Sequence, residues 1–157
     1  MNQRRILTGA LLPIARNWRR AVDYALRPFG LSESLGAPLI YLGRSGGGLS
    51  QNELAERSGI GGPALVRVVD RLVAMNLMTR HIDEEDKRLR RLHLTAKGEA
   101  LVFQLEEALD RLRDVIMADV TDEDVTVFLS VVDKVGIALD RLDLASAFLS
   151  NDEGAGA

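Results

Sequence analysis

Apolar residues in this chain recur at helical spacing through several long stretches and alternate at strand spacing in one short region. Leu7, Leu11, Ile14, Trp18, Val22, Ala25 and Phe29 fall at steps of three or four, which sets them on one helical stripe. Pro13 interrupts that stripe. It either kinks an internal turn or, more simply, marks the first turn of the main helix and leaves the residues before it as a separate arm. Arg27-Pro28-Phe29-Gly30 ends the element, and a second short helix is predicted from about Ser32 to Gly43. Ser45-Gly46-Gly47-Gly48 reads as a flexible connector, since it neither follows a strand nor carries the lysine of a phosphate loop.

Ser50-Gln51-Asn52-Glu53 matches the S-x-x-E capping box and predicts a helix from Gln51 to Arg57. Ser58-Gly59-Ile60-Gly61-Gly62 makes a tight turn, and Pro63 has the backbone angle suited to a helix start. The helix that follows is expected to bury Leu65, Val68, Val69 and Leu72 and to turn Pro63, Ala64, Arg67 and Arg71 outward. Two short helices joined by a glycine turn form the helix-turn-helix pattern, whose second helix enters the DNA major groove by its N-terminal end. Arginine suits that role because its planar fork grips guanine O6 and N7 together.

Asn76 stands where the helix needs a left-handed residue, which asparagine tolerates better than any side chain but glycine. Residues 77–82 and 90–94 then alternate apolar and polar side chains, as half-buried strands do, around a charged tip running from Asp83 to Leu89. A hairpin placed directly after a recognition helix can reach into the neighbouring minor groove, where a narrow A·T-rich tract concentrates negative potential. Arg88 is the candidate finger, with Asp86 orienting it through a charge-assisted hydrogen bond. The expected DNA-facing set is therefore Pro63, Ala64, Arg67 and Arg71 from the helix and Asp86, Arg88 and Arg90 from the hairpin.

Beyond the hairpin, Leu101, Leu105, Ala108, Leu112 and Val115 form one strict apolar stripe, and Val125, Phe128, Val132, Val135, Leu139 and Leu142 form another. Such stripes suit helices packed on helices, either within one helical hairpin or across a dimer. An isolated winged helix needs only about half of this chain, which favours the dimer. A dimer would set two recognition helices about one DNA turn apart, ~34 Å.

Composition narrows the alternatives. The 157 residues, 46% hydrophobic and 27% charged, support one core and leave little room for a second ordinary domain. The net charge of −3 hides a partition: residues 1–27 carry +5, 28–56 carry −2, 57–98 carry +4 and 99–157 carry −10. A polyanion meets the local face, so the acidic total does not argue against DNA. With no cysteine, disulfides, thiol redox sensing and cysteine-based zinc sites are excluded, and a reducing, cytoplasmic setting fits. The apolar stretch after Arg4-Arg5 is broken by Thr8 and Pro13 and runs into Arg16-Asn17-Trp18-Arg19-Arg20, which argues against an export signal. No run approaches the ~20 apolar residues of a membrane span. No nucleophile and base set, metal cluster or cofactor loop stands out, so an enzyme is not expected, nor any cofactor or metal.

Leu49 to Ala55, Pro63 to Leu72, Asn76 to Arg80 and the D-x-R…L-x-L-T-x-x-G of Asp86 to Gly98, taken in order, resemble the MarR family of bacterial transcription regulators. Trp18 to Asp23 and Leu26 to Ser32 are similar to its SlyA branch, and the resemblance spans roughly residues 10–145. It implies a mainly α protein with a small β-hairpin wing: a winged helix-turn-helix on an obligate-type helical homodimer, with a DNA-binding lobe at 48–98. Residues 1–30 and 99–148 would form the dimerisation region and 150–157 a flexible tail. It implies binding of a pseudo-palindromic operator in double-stranded DNA, often with release by a small aromatic or phenolic acid, and the expected role is that of a ligand-responsive repressor. Arg16, Trp18 and Ser32 are the candidates for holding that effector.

Three departures bear on these expectations. Asn76 stands where the family usually has glycine. Gly36 aligns where the SlyA branch tends to have tryptophan, which predicts a larger or differently shaped pocket. His81 and His93 fall on paired wing strands without further metal ligands, so zinc sensing is not indicated. The alternative function is a winged-helix adaptor that binds protein through its wing without sequence-specific DNA binding.

Overall fold

A computed structural model describes residues 2–83 and 85–142. The chain divides into two compact units, one running to Val115 and the other beginning at Ile116. The first holds α1 (Gln3–Leu26), a single 3-10 turn (Arg27–Phe29), α2 (Glu33–Arg44), β1 (Leu49–Ser50), α3 (Gln51–Ser58), α4 (Gly62–Ala74), β2 (Met78–Ile82), β3 (Arg90–Leu94) and all but the last residue of α5 (Ala96–Ile116). The second holds α6 (Asp122–Asp140). The three strands form one antiparallel sheet in the order β1-β3-β2. The architecture is a mainly α winged helix, and the tail predicted at 150–157 lies outside the described residues, as do 143–148.

Pro13 does not begin the main helix. α1 starts ten residues earlier, where the Asn2 side-chain oxygen Oδ1 accepts from the Arg4 N–H at 3.0 Å, and runs unbroken through the proline. Proline removes the donor that would serve the Gly9 carbonyl, and Gly9 is exposed, so water can take that place. The N-terminal arm is therefore part of α1. This half of the helix buries nothing in its own unit; Val22 and Leu26, near the other end, do.

The larger or differently shaped pocket expected at Gly36 does not open there. A Cβ placed on Gly36 would stand 2.3 Å from Leu26 Cδ1, so the Leu26 side chain already fills the crossing of α1 and α2. Glycine here permits close packing and opens no pocket. Leu26, Leu39, Leu54, Leu65, Leu72 and Leu92 lie at the centre of the core, fully withdrawn from water.

The glycine connector is also more ordered than predicted. Gly46, Gly47 and Gly48 all have positive φ, and the Gly48 N–H donates to the Leu92 carbonyl at 2.8 Å. The turn thus delivers Leu49 and Ser50 onto β3, opposite Leu92 and Arg91. Ser50 closes this strand and opens α3: its Oγ accepts from the Glu53 N–H at 3.3 Å, while Glu53 Oε2 accepts from the Ser50 N–H at 2.7 Å.

α4 ends as its sequence predicts. Asn76, at φ 56, is the one non-glycine residue with positive φ among those described. The Leu77 N–H then donates back to Leu72, and the chain turns into β2. After β3, Thr95 fastens the next helix: its hydroxyl donates to the Asn76 carbonyl at 2.7 Å and accepts from the Gly98 N–H at 3.0 Å. The L-T-x-x-G segment is in this way a joint between α4, the wing and α5.

Candidate nucleic-acid interface

The surface begins with α4. Gly61 caps a helix whose first residues are Gly62, Pro63 and Ala64, none of which adds bulk. Leu65, Val69 and Leu72 are buried and Val68 half-buried, which turns Pro63, Ala64, Arg67 and Arg71 to solvent together, as predicted. α3, whose first turn is fixed by the Ser50 and Glu53 capping box, packs against α4. Val66, 43% exposed beside Arg67, belongs to the same surface and has no signal in the sequence beyond its place in the helical period.

The wing supplies the second part. β2 and β3 pair in register from Met78 opposite Leu94 to Ile82 opposite Arg90. Lys87, Arg88, Leu89 and Arg90 are all exposed at the far end. The tip is shaped by Asp83, whose Oδ1 accepts from the Glu85 and Asp86 N–H groups, each at 2.9 Å. Its other oxygen takes a bond of 2.5 Å from Arg91 Nε.

Asp86 braces the finger differently from the expectation. Its Oδ1 accepts from the backbone N–H of Arg88 at 2.9 Å, not from the guanidinium. A short aspartate two residues earlier reaches the main chain more readily than the end of an arginine, as in an Asx turn. The carboxylate therefore fixes the direction in which Arg88 leaves the chain and spares its charge.

Arg91 is the residue sequence reasoning missed. Besides Asp83 it donates to the Gly48 carbonyl at 3.2 Å and to Glu53 at 3.3 Å, tying the tip, the glycine turn and α3 together. Arg80 bonds Asp70 at 2.6 Å and links β2 to α4. In contrast, Arg67, Arg71, Arg88 and Arg90 have no carboxylate within 4.0 Å among the described residues. Paired arginines build the frame, and unpaired ones project from it.

These bonds predict a pH response at the tip. The Asp86 N–H, the Arg91 guanidinium and the Glu85 N–H together lower the Asp83 carboxyl from 3.8 to about 2. A depressed folded-state value contributes stability above the ordinary carboxylate range and loses it as pH falls through the folded one. The tip is expected to stay closed through pH 4 and open only near pH about 2. Amide NMR shifts of Glu85 and Asp86 will follow this, and opening that tracks an ordinary aspartate titration would refute the staple.

The effector candidates fall on two clefts. Arg16 and Ser32 line an open cleft of about 1040 Å³ along α1, together with Arg19, Arg20, Arg27 and Asp23. Arg19 is held by Glu33 at 3.8 Å and Arg27 by Asp23 at 3.6 Å, which leaves Arg16 and Arg20 to face solvent without a carboxylate among the described residues. Trp18 is not part of it. Its ring packs against the core and borders a smaller recess of about 170 Å³ with Val22, Ile40 and Tyr41. His81 and His93 lie edge to face with ring centres 5.2 Å apart, and no group of three metal-ligating side chains occurs among the described residues.

A family model described as MarR family matches residues 39–89, from α2 through the wing tip. The crystal structure of transcriptional regulator PA3341 aligns with 87% of this chain and 99% of its own, at 26% identity and a TM-score of 0.81. MepR from S. aureus, in a complex with DNA, aligns with 85% of this chain and 97% of its own, at 22% identity and a TM-score of 0.72. A MarR mutant from E. coli, complexed with operator DNA, aligns with 82% of this chain and 92% of its own, also at 22% identity and a TM-score of 0.72.

Proposed function

We propose that this chain is a MarR-family winged-helix transcription regulator that represses transcription as a homodimer bound to a pseudo-palindromic operator, a reading supported by the family model that matches residues 39–89. α4 enters the major groove, with Pro63 and Ala64 allowing close approach while Arg67 and Arg71 contact guanine and phosphate. Arg88 and Arg90 reach the flanking minor groove, aimed by the Asp86 bond to the Arg88 backbone. The observation that carries this reading is the division of arginines: among the described residues, those on α4 and the wing tip lack carboxylate partners, whereas the framework arginines beside them are paired.

The dimer rests on apolar side chains left exposed within each unit. Leu12 and Ile14 on α1 are 78% and 60% exposed, and α6 leaves Phe128, Val132 and Leu139 uncovered. Faces of this kind, in regions 1–30 and 99–148, suit pairing with a second copy. No helix among the described residues is long and apolar enough to cross a membrane; the proposed role on DNA supports a cytoplasmic location.

The α1 cleft is where we place an effector. Its surplus of unpaired arginine, with Arg16 foremost and Ser32 as a hydroxyl at the rim, suits a small aromatic or phenolic acid. Trp18, behind it on another recess, acts as core. An acid that binds the dimer's DNA-incompetent arrangement more tightly shifts the population away from DNA.

Selection of duplexes from a random pool at low salt tests the proposal. The expected result is an enriched inverted repeat, with an affinity that falls steeply as salt rises and weakens when an aromatic acid is added. A pool that never enriches would refute operator binding and favour the adaptor reading, in which the wing meets protein.

A further inference from the structure

A second recess in the first unit serves neither the DNA surface nor the α1 cleft. It encloses about 440 Å³ between the end of α2, the glycine turn, β3 and the first turns of α5. That volume lies within the range of small-molecule sites, roughly 300–1,000 Å³. Its floor is apolar and closely built: Leu42 and Val102 are buried, and a Cβ on Gly43 would stand 2.8 Å from Val102 Cγ1. Gly47 lies against the His93 imidazole, with room for no side chain, since a Cβ there would be 2.9 Å from Nδ1. Phe103 stands at the rim, 67% exposed.

The charges are unequal. Arg44 donates from Nε and Nη2 to both oxygens of Glu106, at 2.6 and 2.9 Å, so these two opposite charges satisfy each other. Glu99, in the first turn of α5, has no basic side chain within 4.0 Å among the described residues. An apolar recess is thereby left with one uncompensated carboxylate, an open aromatic face and an imidazole wall.

We propose that this recess binds a small organic monocation with an apolar or aromatic body. The ammonium group sits between the Glu99 carboxylate and the face of Phe103, where ion pairing and cation–π attraction act together. The body lies on Leu42, Leu94 and Val102, with His93 along one side. An anion finds no comparable place, because the one arginine present is already bonded through two nitrogens and Glu99 repels it. The recess thus selects the charge opposite to that favoured by the α1 cleft. It also borders the turn whose Gly48 N–H holds Leu92, so its occupant touches the root of the wing.

Benzyltrimethylammonium, titrated into the full chain and followed by amide NMR, tests the site independently of DNA binding. Saturable shifts are expected at Gly46, Gly47 and Phe103, with weaker binding of benzyl alcohol and none of benzoate at those amides. Glu99→Gln and Phe103→Ala should each lower the affinity by about threefold or more, and together by about tenfold, with the circular dichroism spectrum unchanged. Absence of saturable shifts, equal affinity for benzyl alcohol, or full affinity in the folded Glu99→Gln variant would each overturn the proposal.

Discussion

Gly98→Ala is expected to lower the melting temperature of this protein by about 2–8 °C, although alanine is the better helix former by about 1 kcal/mol. The reason is position. A Cβ at residue 98 would lie 2.1 Å from the Leu77 carbonyl oxygen and 3.0 Å from its carbon, and both are backbone atoms. Neither can step aside by changing a rotamer, because Leu77 is buried and its oxygen already accepts from the Thr95 N–H at 3.2 Å. Relief requires α5 to move off the start of β2, which breaks the Thr95 bonds to Asn76 and Gly98. Overpacking of this kind costs about 1–3 kcal/mol and sometimes more, which outweighs the gain in helix propensity. Thermal unfolding by circular dichroism measures the net effect; an unchanged or raised midpoint would show that the α5 junction is looser than its geometry implies.

That glycine illustrates what was legible in the sequence. Its family motif could be read, but the reason for it could not, because the carbonyl it admits comes from a residue twenty-one positions earlier. Local signals transferred well. The capping box at Ser50, the left-handed Asn76 and the position of the two long wing strands each depend on a few neighbouring residues, and each stands as predicted, although β2 is buried only at its Met78 end and leaves Ile82 exposed. Signals that depend on distant partners did not transfer. β1 is two residues long, too short for any period, and exists because β3 offers it hydrogen bonds. Pro13 suggested a boundary because proline usually makes one; Asn2 provides the real start and an exposed Gly9 carbonyl tolerates the missing donor. Gly36 suggested space, and Leu26 fills it.

The interface shows the same division. Its outward arginines follow from the helical period of α4 and from the charge at the hairpin tip. Which arginines are spent on the frame does not: Arg90 and Arg91 are adjacent and chemically identical, yet strand alternation sends Arg91 to Asp83, Glu53 and Gly48 while Arg90, among the described residues, makes only a 3.5 Å bond to the Lys87 carbonyl.

This division sets the largest effect expected on DNA binding. Arg67→Ala should weaken the selected operator by about 1–3 kcal/mol per half-site and relax the preference at one base position, because a bidentate guanine contact is lost. Arg88→Ala should weaken binding at the flanks and reduce the slope of log affinity against log salt by about 1 per subunit, as one released counterion per wing disappears. α4 and the wing tip are separate elements, so the two losses should nearly add in the double variant. Neither side chain makes a bond within the frame among the described residues, and the melting temperature should hold. Arg91→Ala is the contrasting case: it removes three bonds that shape the wing, so DNA affinity and thermal stability should fall together. Titration of a labelled operator across a salt series separates these outcomes. Full affinity in the Arg67→Ala and Arg88→Ala double variant would mean that the unpaired arginines face solvent for some purpose other than DNA.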